Sequence, residues 1–253
     1  MKISIITVSF NAESTIADTI QSIAGQTYRD IEHIVVDGGS VDGTVKIIKK
    51  LNDGISHWIS EPDQGIYDAM NKGIKIASGA IIGFLNADDV YFDTDVLDCV
   101  ASAMGDPSID ACYSDLVYTE KNSLDQVVRY WKSCDFKKGL FKTGWVPPHP
   151  TFFARKSVYD RYGVYDLRYP LAADFELMAR FLELYQIKTA YIPKVFTKMR
   201  LGGVTNQSLA NIVKQNVEIY KACSQNHIPL SLASFLLGKV VSRVKQFHCR
   251  PAA

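Results

Sequence analysis

The sequence predicts an α/β fold with a mainly parallel central sheet flanked by helices, and three observations carry that prediction. Apolar, β-rich segments alternate with helix-period segments through roughly the first hundred residues. These strands are apolar at most positions rather than every second one, the pattern of strands covered on both faces. Each is followed by a polar or glycine-containing string (FNAES, DGGSVDG, NADD), and parallel sheets gather ligands at the carboxyl ends of their strands.

The elements follow in order. Residues 2–10 (KISIITVSF) read as the first buried strand, and Ile16, Ile20, Ile23 and Ala24 recur at helical spacing after it. Residues 31–39 (IEHIVVDGG) form a second strand, after which Asp42 caps a helix carrying Val45, Ile48 and Leu51, with Gly54 as its stop. Ile66, Ala69, Met70, Gly73, Ile74 and Ala77 lie on one stripe of a helix closed by Gly79. The strand AIIGFL leads into NADD, and a helix around Val96, Leu97, Val100 and Met104 comes next.

The second half is less regular. IDACYSDLVYT and QVVRYW read as strands joined by a polar turn at residues 121–125. Pro147, Pro148 and Pro150 make residues 143–151 a loop. Leu177, Met178, Phe181, Leu182 and Tyr185 mark an amphipathic helix, residues 187–200 are extended, and a helix runs from Gln207 to about Gln225. In the tail, Leu232, Leu236, Val240 and Val244 recur four apart with Lys239, Arg243, Lys245 and Arg250 among them. That helix packs on the domain or on a second subunit, or lies on a membrane surface.

Bulk properties exclude several classes. With 28 Lys+Arg against 27 Asp+Glu the formal net charge is +1, so no overall field draws the chain to nucleic acid and an anionic partner needs a local site. The five cysteines form no CxxC pair, so neither a zinc site nor a disulfide framework is expected. The N-terminal stretch lacks the features of a signal peptide, and no run approaches the roughly 20 apolar residues of a membrane span. A cytoplasmic location is expected.

Three acidic strings mark the candidate site. Asp37 ends a buried strand and precedes Gly38 and Gly39, so a flat ligand can come close and a base N–H or ribose hydroxyl can meet the carboxylate; capping the next helix is the alternative. Asp88 and Asp89 are adjacent carboxylates at the end of an apolar strand. They repel unless a cation compensates them, and oxygen ligands suit Mg²⁺ or Mn²⁺, which also bridge diphosphates; a solvated turn is the alternative. SEPDQG opens a helix whose polar face holds Asp63, Asp68, Asn71 and Lys72, and Lys72 either faces a phosphate or is solvated.

Taken together, residues 4–44 and the block EPDQGIYDAMNKGIKIASGAIIGFLNADD resemble family 2 glycosyltransferases of the GT-A fold, over roughly the first 95 residues. The nearest flavour is the bacterial enzymes that build colanic acid, capsule and O-antigen repeat units. The residues themselves offer Gly39, Asp63 and Lys72 as candidate donor contacts, and the resemblance implies that Thr7, Phe10 and Asn11 line a nucleotide pocket. It implies that Asp37 contacts the base, that Asp88 lies near ribose or sugar with Asn86 beside it, and that Asp89 binds the metal. Asn86 stands where the family commonly has Asp, so ligation rests on Asp88 and Asp89. In LAADFELMARF, Asp174 matches the acid that serves as general base, Ala173 replaces the acid usually before it, and Glu176 is the reserve. His149 is a candidate phosphate, acceptor or metal contact, Trp145 a candidate sugar platform, and Arg200 with Gly202 and Gly203 a candidate basic loop over the diphosphate.

The resemblance implies an inverting transfer from a nucleotide-diphosphate sugar, UDP first because Asp37 suits uracil. The acceptor is a saccharide or a polyprenyl-diphosphate-linked saccharide, and the tail contacts the inner membrane face or forms a homodimer. The expected division is 1–205 for the catalytic domain, with donor half 1–115 and acceptor half 116–205, and 206–253 for a helical extension. A sugar-nucleotide pyrophosphorylase or a Rossmann dehydrogenase would carry a glycine-rich loop after its first strand, and TVSFNAEST has none. A non-catalytic nucleotide-sugar-binding protein of the same fold is the remaining alternative.

Overall fold

The structure is a computed structural model that describes residues 1–202 and 208–248. Gly203, Lys245's side chain, Cys249 and Arg250, together with the expected boundary at 205/206, lie outside what is described. Strand β1 (Ile3–Ser9) is buried along its whole length. It pairs in parallel with β2 (Ile31–Asp37) on one side and β4 (Ile81–Phe84) on the other, Ile3 lying level with both Ile31 and Ile81. The short, partly exposed β3 (His57–Ser60), which has no clear period in the sequence, adds a parallel edge to β2.

Alternation within these strands feeds two cores. Ile6, Val8, Ile34, Val36, Ile82 and Phe84 face Ala69, Met70 and Ile74 of α3 (Ile66–Ile76). On the opposite face, Ile3, Ile5 and Ile81 meet α4 (Val96–Ala103), while Val35 meets α1 (Ile16–Ala24) and Ile48 of α2 (Thr44–Lys50). Burial on both faces is what makes each strand read as a continuous apolar run.

The second half makes the sheet mixed. After β4 the chain crosses to β5 (Val90–Tyr91), which pairs antiparallel with β9 (Thr189–Arg200) at the far edge. β6 (Ala111–Glu120) pairs in parallel with β9 and antiparallel with β7 (Ser123–Trp131). Between β4 and β6 sits β8 (Phe153–Arg155), antiparallel to both. The NADD string therefore bridges the parallel half and the far edge.

Helices α5 (Lys156–Tyr162) and α6 (Ala173–Ala179) follow, α6 continuing as a π turn over Arg180–Leu184. α7 (Leu209–Gln225) starts on Ser208, whose hydroxyl accepts from the Asn211 N–H. α8 (Leu232–His248) crosses the single turn Leu140–Thr143 so closely that a Cβ on Gly238 would lie 1.8 Å from the Thr143 carbonyl oxygen. Only glycine allows that approach. The tail helix thus packs on the domain along at least one face.

Candidate active site

The donor-side loops are stitched together by short polar side chains. Asp37 has no exposed surface. Its Oδ1 accepts from the Ser9 hydroxyl at 2.9 Å and the Ser40 hydroxyl at 2.5 Å. Its Oδ2 accepts from Ser60 Oγ at 2.7 Å and from the N–H groups of Gly39 and Ser40 at 3.2 and 2.9 Å. Burial pushes the carboxyl up, but the hydrogen bonds from Ser40, Ser60 and Ser9 outweigh it and hold Asp37 below its ordinary value. As it stands, Asp37 anchors the turn, and a nucleobase N–H would have to take the place of one of these hydroxyls.

The turn itself fits the expectation of close approach. Gly39 has φ +83°, in the left-handed region that favours glycine, and a Cβ on Gly38 would lie 2.4 Å from Asp63 Oδ2. Asp63 also accepts from the Gly65 N–H at 2.8 Å, a bond within the EPDQG loop. Asn11 ties the first loop to the second, its N–H donating to Ser40 Oγ and its Oδ1 accepting from Val41 N–H. Phe10 projects from this rim with 64% of its surface exposed. Asp42 accepts from the N–H and hydroxyl of Thr44 just before α2, whose cap position is taken by Gly43 rather than by the expected Asp42.

Two donor-side expectations change. Thr7 does not line a pocket: it is wholly buried, with Oγ1 3.0 Å from His33 Nε2, because strand alternation turns it into the protein. Lys72 is neither solvated nor free for a phosphate. Its ammonium lies 2.8 Å from Glu61 Oε1, donates to the Pro62 carbonyl at 3.0 Å and lies 3.8 Å from Asp68, holding the acidic loop against α3. The hydrogen bond to Glu61 raises its pKa despite burial.

Within the acid pair, Asp88 is half-buried, whereas Asp89 has no exposed surface and neither of its oxygens has a hydrogen-bond donor in bonding geometry among the described residues. The Asn86 Oδ1 beside them is also buried without a partner. Burial drives Asp89 well above the ordinary carboxylate range and the Asp88 charge adds to it, while the nearby Arg200 backbone and guanidinium and the Asn86 side chain pull the other way. Asp88 is raised by burial and partly offset by Arg200. Orphaned buried carboxylate oxygens are costly, and a cation or a proton relieves them. The oxygens of Asp88, Asp89 and Asn86 thus form a donor set that fits a hard divalent cation. Asp88 is partly exposed and Asp89 is buried, so the two acids expected to share the ligation differ in exposure.

Arg200, expected with Gly202 and Gly203 to close over the diphosphate, is held by the Asp88 backbone and by Asp18, and Gly203 lies outside the described residues. The Arg200 guanidinium donates to the Asp88 carbonyl at 2.9 Å and to Asp18 Oδ2 at 2.5 Å, and the residue is 8% exposed. Gly202 has φ +127°.

On the acceptor side, Asp174 Oδ1 accepts from the Tyr67 hydroxyl at 2.9 Å, a contact between α3 of the donor half and α6. Asp174 Oδ2 has no protein donor among the described residues. Tyr67 is pushed well above its ordinary value by burial and by the Asp174 charge, so it stays a donor. Glu176 is not a spare base: it is buried, its oxygens take two N–H bonds from Arg180 at 2.9 and 3.0 Å, and Asn226 donates to Oε1 at 3.1 Å.

His149 Nε2 lies 2.6 Å from the Tyr165 hydroxyl, and its ring stacks on Phe84 at 5.6 Å. Burial lowers its pKa, with the Asp174 charge opposing. Among the described residues no three His, Cys, Asp or Glu side chains are placed to share a cation. His149 therefore does not join Asp88 and Asp89 as a metal ligand; it belongs to the aromatic wall beside Asp174. Trp145 packs among Tyr113, Phe136 and Phe141, and its buried Nε1 has no acceptor. It lines a cavity of about 450 Å³ with Tyr130, Ser133, Gly238, Val241 and Gln246, so it is both core and wall.

Sequence reasoning missed Tyr67 and Lys239. Tyr67 sits at the margin of the α3 stripe, where spacing says nothing about a partner 107 residues away. Lys239 enters from α8, donates to Asn216 Oδ1 at 2.9 Å, and is pushed down to about 8 by burial, with Arg243 adding to the shift and Asp174 opposing it.

Comparison with known proteins agrees with this geometry. Residues 4–163 match the family described as Glycosyl transferase family 2. An uncharacterized glycosyltransferase of Mycobacterium tuberculosis is 38% identical over 180 residues, covering 70% of this chain and 68% of that one. A PGL/p-HBAD biosynthesis glycosyltransferase of Mycobacterium bovis is 32% identical over 209 residues, covering 80% and 78%. Among solved structures, the mannosyltransferase PcManGT of Pyrobaculum calidifontis, in complex with GDP-Man and Mn²⁺, superposes with TM-score 0.67 at 15% identity, over 95% of this chain and 69% of that one. Residues 1–349 of S. aureus TarS in complex with UDP give 0.63 at 20% identity, over 93% and 71%. The chain spans 43% of the longer TarS chain, with TM-score 0.62. The mixed sheet has the GT-A arrangement, and the chain belongs to glycosyl transferase family 2 as an enzyme of the glycosyltransferase class.

Proposed function

We propose that the chain transfers a sugar, with inversion, from a nucleotide-diphosphate donor to a hydroxyl of a saccharide or lipid-linked saccharide in cell-surface polysaccharide assembly. The observation that carries this reading is an acid pair just after β4, with Asp89 buried without a donor, together with Asp174 oriented by Tyr67 from the helix that follows the donor loop. UDP is the favoured nucleotide; the TarS structure cited above is a UDP complex, and the PcManGT complex with GDP-Man keeps GDP as the second choice. The nucleotide lies over the Gly38–Ser40 turn, with Phe10 and Asn11 on its rim.

A divalent cation held by Asp88 and Asp89, Mn²⁺ or Mg²⁺, neutralises charge on the diphosphate when bound. Asp174 Oδ2 takes the proton of the acceptor hydroxyl while that oxygen bonds to the anomeric carbon and the bond to the diphosphate oxygen breaks. Tyr67, donating to Oδ1, keeps the carboxylate aimed. Arg200 holds the backbone of Asp88 in place. The expected location is the cytoplasm or the inner face of its membrane; no helix of the described residues is long and apolar enough to cross a membrane.

The test is nucleoside diphosphate release from a panel of UDP-, GDP- and dTDP-sugars, with and without lipid-linked acceptors. Release with one donor class, abolished by EDTA and by Asp88→Asn, is the expected result. Full turnover in EDTA sinks the metal assignment, and donor binding without release under every condition favours a non-catalytic binding protein.

A further inference from the structure

The tail helices carry a feature the transfer chemistry does not use. On α7, Val213, Val217 and Tyr220 are 63%, 47% and 51% exposed, and their spacing of four and three residues puts them on one stripe. On α8, Leu236, Val240, Val244 and Phe247 form a second stripe, 39 to 59% exposed, flanked by the more exposed Leu237. The two helices touch where Lys239 donates to Asn216. Apolar exposure of this extent is unusual on an isolated soluble domain.

Charge chooses the occupant. Residues 209–248 contain one acid, Glu218, against five Lys and Arg. Glu218 is buried, and its carboxylate accepts from the Leu171 N–H at 2.8 Å, so it offers nothing to a partner. Lys214, Lys221 and Arg243 are exposed beside the apolar stripes. Apolar residues flanked by cations with no outward acid match a bilayer interface bearing anionic headgroups; a second copy of the same face would set cations against cations.

We propose that the exposed apolar stripes of α7 and α8, with the cations beside them, seat this protein on an anionic lipid surface. The opposite side of α8 is locked to the domain through Gly238 and carries Lys239 toward Asp174, so a chain seated this way holds its acceptor side against the bilayer. The orientation rests on the reading of Asp174 as the acceptor-side base; the lipid contact does not.

The experiment is co-sedimentation of the full chain with phosphatidylcholine vesicles with and without phosphatidylglycerol, with no sugar substrate present. Wild type is expected to bind the anionic vesicles more than about tenfold better than the neutral ones and to release at high salt. Val240→Glu and Val244→Glu are expected to lose binding more than about tenfold, with unchanged thermal unfolding and nucleotide binding because both side chains are exposed. Lys214→Glu with Lys221→Glu is expected to remove the preference for the anionic vesicles. Equal binding to both vesicle types, or none to either, overturns the proposal. So does a dimer, measured by light scattering, that Val240→Glu converts to monomer without any vesicle binding in wild type. Because the readout is lipid binding, its failure is distinct from a failure of Asp174 as base.

Discussion

The donor half and the acceptor half solve the problem of building a site in different ways. On the donor side, carboxylates and hydroxyls from successive βα loops bond to one another. Asp37 alone collects five donors, and Asn11, Glu13 and Asp42 tie the first loop to the second. On the acceptor side, Asp174 accepts one hydroxyl, from Tyr67, and its neighbours are rings: Tyr165, His149 and Phe84. The turn is saturated by protein donors, whereas Asp174, in its proposed role as base, keeps Oδ2 without a donor among the described residues. A group that is to accept a proton cannot have all its lone pairs taken.

The largest expected effect tests that contrast directly. Asp174→Asn should lower turnover roughly 100- to 10,000-fold while nucleotide binding, followed by calorimetry, stays unchanged. Near-normal turnover would remove Asp174 as the base. The equivalent change on the other side should act on folding instead. Asp37→Ala leaves its hydroxyl and amide donors without their acceptor, and it should cost about 3 kcal/mol in denaturant unfolding.

A pH experiment separates the halves further. Burial holds His33, bonded to Thr7 behind the donor sheet, down to about 4 from an ordinary 6.5. Between these values the unfolded chain takes up the proton and the folded chain does not. The contribution of neutral His33 is therefore complete above about pH 6.5 and is lost as pH falls toward 4, by up to about 3 kcal/mol. His33→Gln should flatten that slope, and an unchanged slope would move its origin elsewhere. The smallest effect belongs to the contact joining the halves: Tyr67→Phe should reduce turnover about fivefold, near 1 kcal/mol, with stability close to wild type.

How much of this was legible varies by residue. The Asp37–Gly38–Gly39 turn and the NADD string were visible because a buried strand that ends in acids and glycines is a local pattern. Asp174 was visible only through resemblance, since an acid opening a helix is equally a cap. Glu176, Lys72 and His149 could not be judged from sequence, because each looks free until its partner arrives: Arg180 and Asn226, Glu61, and Tyr165. The three-residue β8 has no period to detect, yet it joins β4 to β6 and so decides where the acceptor half lies.

By itself the sequence determined the run of buried strands and helices, the acids at the strand ends, and a tail mixing cations with apolar residues, because periodicity and turn chemistry are properties of neighbours along the chain. Only the tertiary structure decided that Asp89 is buried without a donor while Asp88 stays partly exposed, that Tyr67 aims Asp174, and that α8 turns one side to Thr143 and leaves the other bare. Those outcomes depend on which surfaces meet across large sequence separations. Burial, not residue type, sets the cost of an unpaired carboxylate or an exposed apolar stripe.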